Sequence, residues 1–410
     1  MKCLYFVQYF PPEKASGLDL VEDLIEGFAQ HGWNVELFTP TPTRGIDEAT
    51  RQVYKARRIE KMSDGKISIH RMRLYREGST FLARTIRYLL FSIECLWKAV
   101  TVPADFIFTG SGPPTQGLML GMAKKLSKKK AIYNLQDIFP DSLITAGLSN
   151  ENSISIKIGR LMETFTYNNA DHIITVSNDM ERNLIQKGVE PSKISVIHNW
   201  IDTEKIIHIK RNGNRLFDEL NLQRNEFYVV YAGNLGKVQG IDNLLHAAAL
   251  MKGKTDVNFI IFGNGSEENK ILEEIKAKDL INVSLYPLQA QNRVPEVYSM
   301  GNVCIVSCRP GTGKSGMPSK TWAIMATGTP IIASFDIDSE MKETIDEAQC
   351  GICVEPGNPV ALAEAICKIY QNPMLAQKMG ENARQYVMAH ASKSVAVSRY
   401  ITQIEKEMNS

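Results

Sequence analysis

The sequence predicts an α/β protein of two Rossmann-like domains, each a doubly wound parallel sheet, and three observations carry that reading. Short apolar, β-rich runs alternate with amphipathic helical stretches along nearly the whole chain, and a strand followed each time by a helix builds a parallel sheet covered on both faces. The alternation stops in a polar stretch after Ile197 and resumes at Phe227. A chain of 410 residues leaves about 200 for each half, enough to bury its own core.

In order, Leu4 to Phe10 is continuously apolar and aromatic, as in a strand buried on both faces. The loop PPEKASG, a helix from Leu18 to Gln30 and a strand from Asn34 to Thr39 follow. The loop lacks G-x-G-x-x-G, which argues against an ordinary dinucleotide oxidoreductase. Gly17, just before the helix, is either a turn residue or a point where backbone approaches a ligand. Asp105 to Thr109 is a strand running into a second glycine-proline loop, GSGPPTQG, and a helix from Leu118 to Ser127. The strand Ala131 to Leu135 ends in QDIFPDS, with Asp137 and Asp141. Helix Ile154 to Asn169, strand His172 to Val176, helix Asn178 to Lys187 and strand Ile194 to Ile197 complete the half.

HNWIDTE and the polar residues up to Asn225 read as a connector. The second series has strands at Phe227 to Ala232, Val257 to Phe262, Val283 to Tyr286, Val303 to Ser307, Pro330 to Ala333 and Gly351 to Val354. Between them lie the loops GNLGKVQG and GNGSEEN and helices at Ile241 to Met251, Lys270 to Ala277 and Val294 to Met300; helices from Val360 and Leu375 close the chain. The expected domains are 1–200, 201–390 and a C-terminal helix, 391–410, that packs back on the first. The motif loops all fall at strand carboxyl ends, so the expected site is an interdomain cleft between facing loops.

Composition excludes several function classes. With 44% hydrophobic and 22% charged residues the chain is of ordinary globular type, and a net charge of +2 offers nothing to nucleic acid. The seven cysteines are scattered, which fits a reducing compartment. Cys350 and Cys353 form one C-x-x-C without a second pair at metal-site spacing, so no metal is expected. The N-terminal apolar run is too short for a signal peptide, and no run of about 18 apolar residues is present. The expected location is the cytoplasm, including the inner face of the plasma membrane. The charge is unevenly placed: Arg44 to Lys98 holds thirteen Lys or Arg against six Asp or Glu. It runs through STFLARTIRYLLFSIECLWKAV, with Phe81, Leu82, Ile86, Leu89, Leu90, Ile93, Leu96 and Trp97 apolar and Arg84 and Arg87 basic. Such a stretch is either an interfacial membrane helix, giving 44–98 a peripheral membrane contact, or a core helix beside a solvated basic face.

The most informative stretch is Ser307 to Ala333, SCRPGTGKSGMPSKTWAIMATGTPIIA. It reads as strand, glycine loop, helix and strand, with Ser319 as the helix N-cap and backbone N–H groups of the loop facing a ligand crevice. Amides and the Lys320 ammonium together suit a phosphate or diphosphate. GTGKS looks like the end of a P-loop, but that motif requires glycine where Cys308 stands and starts its helix at the lysine, whereas here the helical pattern begins after Pro318.

GNLGKVQG, FGNGSE, MPSKTWAIMATGTPIIA and QDIFPD stand in an order and spacing that resemble the retaining GT-B glycosyltransferases of family 4. The resemblance covers nearly the whole chain. It is nearest the bacterial subgroup that builds O-antigen, capsule and colanic-acid chains, N-acetyl-L-fucosamine transferases included. It implies a nucleotide-diphosphate-sugar donor in the second domain, an acceptor in the first, and no required metal or other cofactor. By position, Gly233, Asn234, Leu235 and Gly236 approach the diphosphate. Relatives usually carry arginine and lysine at the places of Asn234 and Gln239, so Lys237 and Lys320 are the substitute cations. The family's two spaced glutamates fall on Ser315 and Ala323, leaving no carboxylate at Ala323 for the ribose. Gly316, Met317, Pro318 and Ser319 would sit at sugar and phosphate, Gly263 and Gly265 at the nucleotide, and the backbone of Leu288 at the base. Gly17 resembles the glycine that nears the donor phosphate. Gln136 replaces a histidine common in relatives, and Asp137 beside it either orients the sugars or caps the following turn.

The expected function is retaining transfer of a sugar from a UDP-sugar to a lipid-linked saccharide during surface-polysaccharide synthesis. A UDP-sugar 2-epimerase shares two facing α/β domains and is the rival; it needs carboxylates and a histidine in the cleft and would convert the nucleotide sugar with no acceptor present. A non-catalytic binding subunit would show no transfer.

Overall fold

The computed structural model describes residues 1–15, 17–78, 80–145 and 147–409, and gives the backbone only of Phe81 and Ser315. The chain divides into two compact units, Met1–Ile197 with Ala396–Ser410, and His198–Val395.

The first unit is built on an eight-stranded sheet. Its strands are β1 (Lys2–Phe6), β2 (Asn34–Pro40), β3 (Ile59–Met62), β4 (Ile67–Met72), β5 (Phe106–Gly110), β6 (Lys130–Leu135), β7 (His172–Thr175) and β8 (Ile194–Val196), in the order β3-β4-β2-β1-β5-β6-β7-β8. All neighbours pair in parallel except β3 with β4. The helices are α1 (Leu18–Gln30), α2 (Glu48–Ala56), α3 (Phe81–Thr101), α4 (Thr115–Ser127), α5 (Asp141–Thr145), α6 (Ile154–Asn169) and α7 (Asn178–Gln186). Leu4, Phe6, Phe38 and Ile107 face α3 and α4 in one buried cluster. On the opposite face Phe108 meets Phe28 of α1 edge-on.

The second unit has a six-stranded, all-parallel sheet. Short α8 (Leu216–Glu219) precedes β9 (Phe227–Asn234), α9 (Ile241–Leu250), β10 (Val257–Asn264), α10 (Glu268–Ala277), β11 (Val283–Tyr286), α11 (Val294–Ser299) and β12 (Val303–Ser307). Then come α12 (Lys320–Ala326), β13 (Ile331–Ser334), α13 (Glu340–Ala348), β14 (Gly351–Val354), α14 (Pro359–Tyr370) and α15 (Pro373–His390). The order is β11-β10-β9-β12-β13-β14. Residues of α9 and α14 cover one face and those of α11, α12 and α15 the other. The last helix, α16 (Lys393–Met408), has most of its length in the first unit. There Tyr400 packs edge-on against Phe108 and donates to Asn134 Oδ1 at 3.0 Å.

Three sequence expectations need correction. The stretch 44–76 is not merely a basic flank but forms α2, β3 and β4. Several of its charges, and Arg87, turn inward: Arg51, Arg71 and Arg87 are buried. Arg51 donates to Leu74 O at 3.0 Å, Arg71 to Glu60 at 2.9 Å, and Arg87 to the carbonyls of Tyr75 and Thr41. A buried cation persists only when such acceptors meet it, so this part of the basic excess is structural. The connector is not all polar loop either, because Leu216 and Phe217 of α8 enter the second core. Finally, Ser319 has helical backbone angles and its side chain makes no capping bond.

Candidate functional site

Each sheet has a point where its parallel strand order reverses, between β1 and β5 in the first unit and between β9 and β12 in the second. Adjacent loops leave in opposite directions there, opening a crevice at the strand carboxyl ends. In the second unit the loops at that point are 233–240 and 308–319, the two glycine motifs of the sequence.

The first loop is shaped by close packing. Gly233 has φ +148°, a backbone conformation that favours glycine, and a Cβ there would stand 2.7 Å from Lys320 Nζ and displace the ammonium. A Cβ on Gly263 would meet Gly233 O at 2.5 Å, and one on Gly265 would meet Leu235 O at 2.5 Å. The FGNG glycines thus let the β9 and β10 loops touch. Leu235 is fully buried and its N–H bonds Asn264 O at 2.8 Å. Gln239 folds back inside the loop, its Oε1 accepting from Gly236 N at 3.1 Å and Asn234 Nδ2 at 3.4 Å. The side chain expected at the diphosphate therefore braces the turn and occupies the Gly236 amide.

The second loop is tied to the first. Ser307 Oγ donates to Gln239 O at 2.7 Å and Arg309 N to Val238 O at 2.8 Å. Arg309 Nε also bonds Lys237 O, and its Nη2 reaches Asp242 at 3.4 Å. Asp336, just past β13, accepts from Gly311 N at 2.9 Å and Gly313 N at 2.7 Å. Those two amides were expected to face the ligand; they are satisfied by a carboxylate instead. Lys314 of GTGKS pairs with Asp338. What remains open is the last part of the loop: Gly316 has φ +140° with nothing within 4 Å of a Cβ, and the Gly316 and Met317 N–H groups have no hydrogen-bond partner among the described residues. Of Ser315 the side chain lies outside the description.

Lys320, the first residue of α12, holds its Nζ 4.0 Å above the centre of the Tyr231 ring, a cation–π geometry. Tyr231 is fixed by donating to Asn234 O at 2.7 Å. Burial pushes the Lys320 ammonium down to about 7, because a low-dielectric setting disfavours charge. Lys237 is exposed, and its ammonium has no ion-pair or hydrogen-bond partner among the described residues. Pro318 and Ser319 lead into α12, and Leu288 is exposed after β11. Ala323 is buried in the apolar cluster with Trp322.

In the first unit Gly17 has φ +76° at the start of α1, and a Cβ there would touch only Leu20 Cδ1, at 3.9 Å. Ser111 Oγ, at the end of β5, accepts from Gln136 N at 3.0 Å and Asp137 N at 3.1 Å. This leaves the Asp137 side chain exposed. Asp141 is engaged structurally by Arg160, Lys187 and Asn183. Its carboxyl lies below the usual range: burial raises it, and the Lys187 and Asn183 bonds with Arg160 nearby outweigh that.

Residues 20–205 match the family described as Glycosyltransferase Family 4, and residues 213–386 match Glycosyl transferases group 1. Anabaena HepE, solved in complex with UDP, superposes with a TM-score of 0.73 over 99% of this chain and all of its own, at 15% identity. The chain is a GT-B glycosyltransferase. This glycosyltransferase is 24% identical to the putative colanic acid biosynthesis glycosyl transferase WcaI of Escherichia coli (strain K12), over 98% of this chain and 100% of that protein. It is 25% identical to the probable glycosyltransferase WbjE of Pseudomonas aeruginosa, over 78% of each.

Two residues that position the glycosyltransferase's loops, Asp336 and Arg309, were not singled out from sequence. The signal for Asp336 is register: β12 and β13 align Ser307 with Ser334, which carries residue 336 alongside residues 309–313.

Proposed function

We propose that this enzyme transfers a sugar, with retention of configuration, from a UDP-sugar to a lipid-linked saccharide acceptor in the synthesis of a bacterial surface polysaccharide such as O-antigen or capsule. The likeness to WcaI and WbjE supports the pathway class, and UDP in HepE supports the nucleotide. The observation that carries the reading is the Lys320 ammonium beside Gly233, with the unpartnered Gly316 and Met317 amides four and three residues before it in sequence. A diphosphate there would receive a mobile cation and two fixed dipoles, the preorganised stabilisation that a departing diphosphate needs. Lys237 is the second cation, and Gly263, Gly265 and Leu288 flank the nucleotide. In same-face transfer the departing phosphate oxygen accepts the proton of the acceptor hydroxyl, so no separate base is required. Asp137 orients the acceptor.

The site is proposed to work at the inner membrane surface. Among the described residues no helix is long and apolar enough to cross a membrane. Yet α3 leaves a stripe exposed, Leu82, Ile86, Leu90, Ile93 and Trp97, with Trp97 65% accessible. These recur at helical spacing, as in helices lying in a lipid interface. The test is incubation with UDP-sugars and a lipid-diphosphate saccharide, with the product anomer read by NMR. Asp137→Asn is expected to lower kcat by tenfold or more with little change in UDP affinity. Inverted product, or conversion of the nucleotide sugar without acceptor, would overturn the reading.

A further inference from the structure

A cavity lies in the first unit, lined by none of the glycine-loop residues. It has a volume of about 340 Å³ and is lined by residues of β2, the β3–β4 edge and α3, which places it in the size range of ligand pockets. Arg58, Arg73 and Lys98 line it. None of the three has an ion-pair partner within 4 Å among the described residues. Two other side chains of the cavity are engaged: the Arg71 guanidinium holds Glu60, and the His70 ring bonds Glu36 at 2.5 Å while stacking on Phe38. One carboxylate opposes them. Glu94 also lines the cavity, and its carboxyl lies above the usual range because burial outweighs the pull of Lys98.

The position of this cavity on α3 matters. Glu94 and Lys98 each follow by one residue the outward Ile93 and Trp97, about 100° further round the helix. The apolar stripe and the cationic cavity are therefore neighbouring faces of one helix. A bilayer against the stripe would bring its phosphate layer level with the cavity. Three cations without a salt bridge among the described residues, facing a single carboxylate over the apolar Phe38, Ile59 and Met72, match a phosphate group, and most closely a phosphomonoester or diphosphate, whose charge exceeds that of a phosphodiester.

We propose that this cavity is a phosphate-binding site for the headgroup of a lipid bearing a phosphomonoester or diphosphate, separate from the donor site. The inference takes the source of the phosphate from the membrane reading above. The cavity's own chemistry is that of phosphate, whether lipid-borne or free.

The experiment is vesicle co-sedimentation of the full chain with phosphatidylcholine alone, with added phosphatidylglycerol, and with added phosphatidic acid, at one ionic strength. Inorganic diphosphate serves as a soluble competitor. The wild type is expected to prefer phosphatidic acid over phosphatidylglycerol. Arg58→Gln and Arg73→Gln should each weaken that binding about fivefold and abolish the preference. Glu94→Gln, which removes the opposing carboxylate, should strengthen it, and the exposed control Lys55→Gln should keep the preference. Thermal melts check that each variant is folded. If Arg58→Gln and Arg73→Gln behave like Lys55→Gln while Trp97→Ser releases the protein from every vesicle, the membrane reading stands and the phosphate site falls. If the wild type binds no vesicle, the membrane reading falls. In that case diphosphate binding lost in Arg73→Gln supports a site for free anion, and diphosphate binding unchanged in Arg73→Gln overturns the site.

Discussion

Lys320→Met is the perturbation that bears most directly on catalysis. Methionine keeps an unbranched apolar stem of similar volume but ends one atom short of Nζ, so the charge, its N–H donors and the cation–π contact with Tyr231 are lost together while the burial of the stem is retained. A charge-assisted hydrogen bond to phosphate is worth about 1.5–3 kcal/mol, which corresponds to a loss of about tenfold to somewhat over a hundredfold in kcat/KM. The pH profile makes the test specific. Burial holds the ammonium at about 7 in the free enzyme, so near pH 7 about half of the molecules carry the charge. A bound diphosphate favours the charged form. Below pH 7 the cation is present before the donor arrives and kcat/KM is flat in this group; above pH 7 a proton must be taken up and kcat/KM falls about tenfold per unit. Lys320→Met should lose that fall as well as the rate. Stability moves the other way. The folded-state value is depressed below the unfolded one of about 10.4, so the cost of burying the ammonium is fully present below pH 7 and disappears as pH rises towards the unfolded value. The variant should therefore melt higher than the wild type at pH 6 and match it at high pH. Steady-state kinetics from pH 6 to 9, beside thermal melts, measure both. Unchanged kcat/KM with an unchanged profile would remove Lys320 from the mechanism.

Asp336→Ala should free the Gly311 and Gly313 amides, a local loss of about 1.5–3 kcal/mol per bond to the carboxylate. Hydrogen exchange should then quicken across residues 309–316 and the donor KM should rise, with protection in the strands unchanged; an unaltered loop would deny Asp336 its positioning role. In the first unit, a Cβ on Gly27 would lie 2.2 Å from Val397 Cγ1. Gly27→Ala should cost about 1–3 kcal/mol by overpacking α1 against α16, and Val397→Ala should restore most of it. A melt that does not respond to Gly27→Ala would show that α16 is not seated there.

The parallel architecture was legible because buried parallel strands advertise themselves as short apolar runs, and the helices between them as amphipathic ones. What escaped the reading was structure built from polar residues. The segments α2, β3 and β4 are rich in Arg and Lys, and Arg51 and Arg71 are buried by virtue of partners that no local pattern reveals. Residues Leu216 and Phe217 make too short an apolar run to announce a helix. At the site, the glycines were readable because close approach and positive φ demand them at Gly233, Gly265 and Gly316. Gln239 was placed at the diphosphate by position alone, yet its carbonyl oxygen folds onto Gly236. Asp336 lies more than twenty residues from the amides it holds, and only the pairing of β12 with β13 brings it there.

The claim on which the mechanism depends is that the loops after β9 and β12 hold a diphosphate through Lys320. A crystal structure of the complex with UDP measures this directly. The expected result is a diphosphate within hydrogen-bond distance of Lys320 Nζ and of the Gly316 and Met317 amides. A diphosphate bound elsewhere, with Lys320 still resting on the Tyr231 ring, would contradict it.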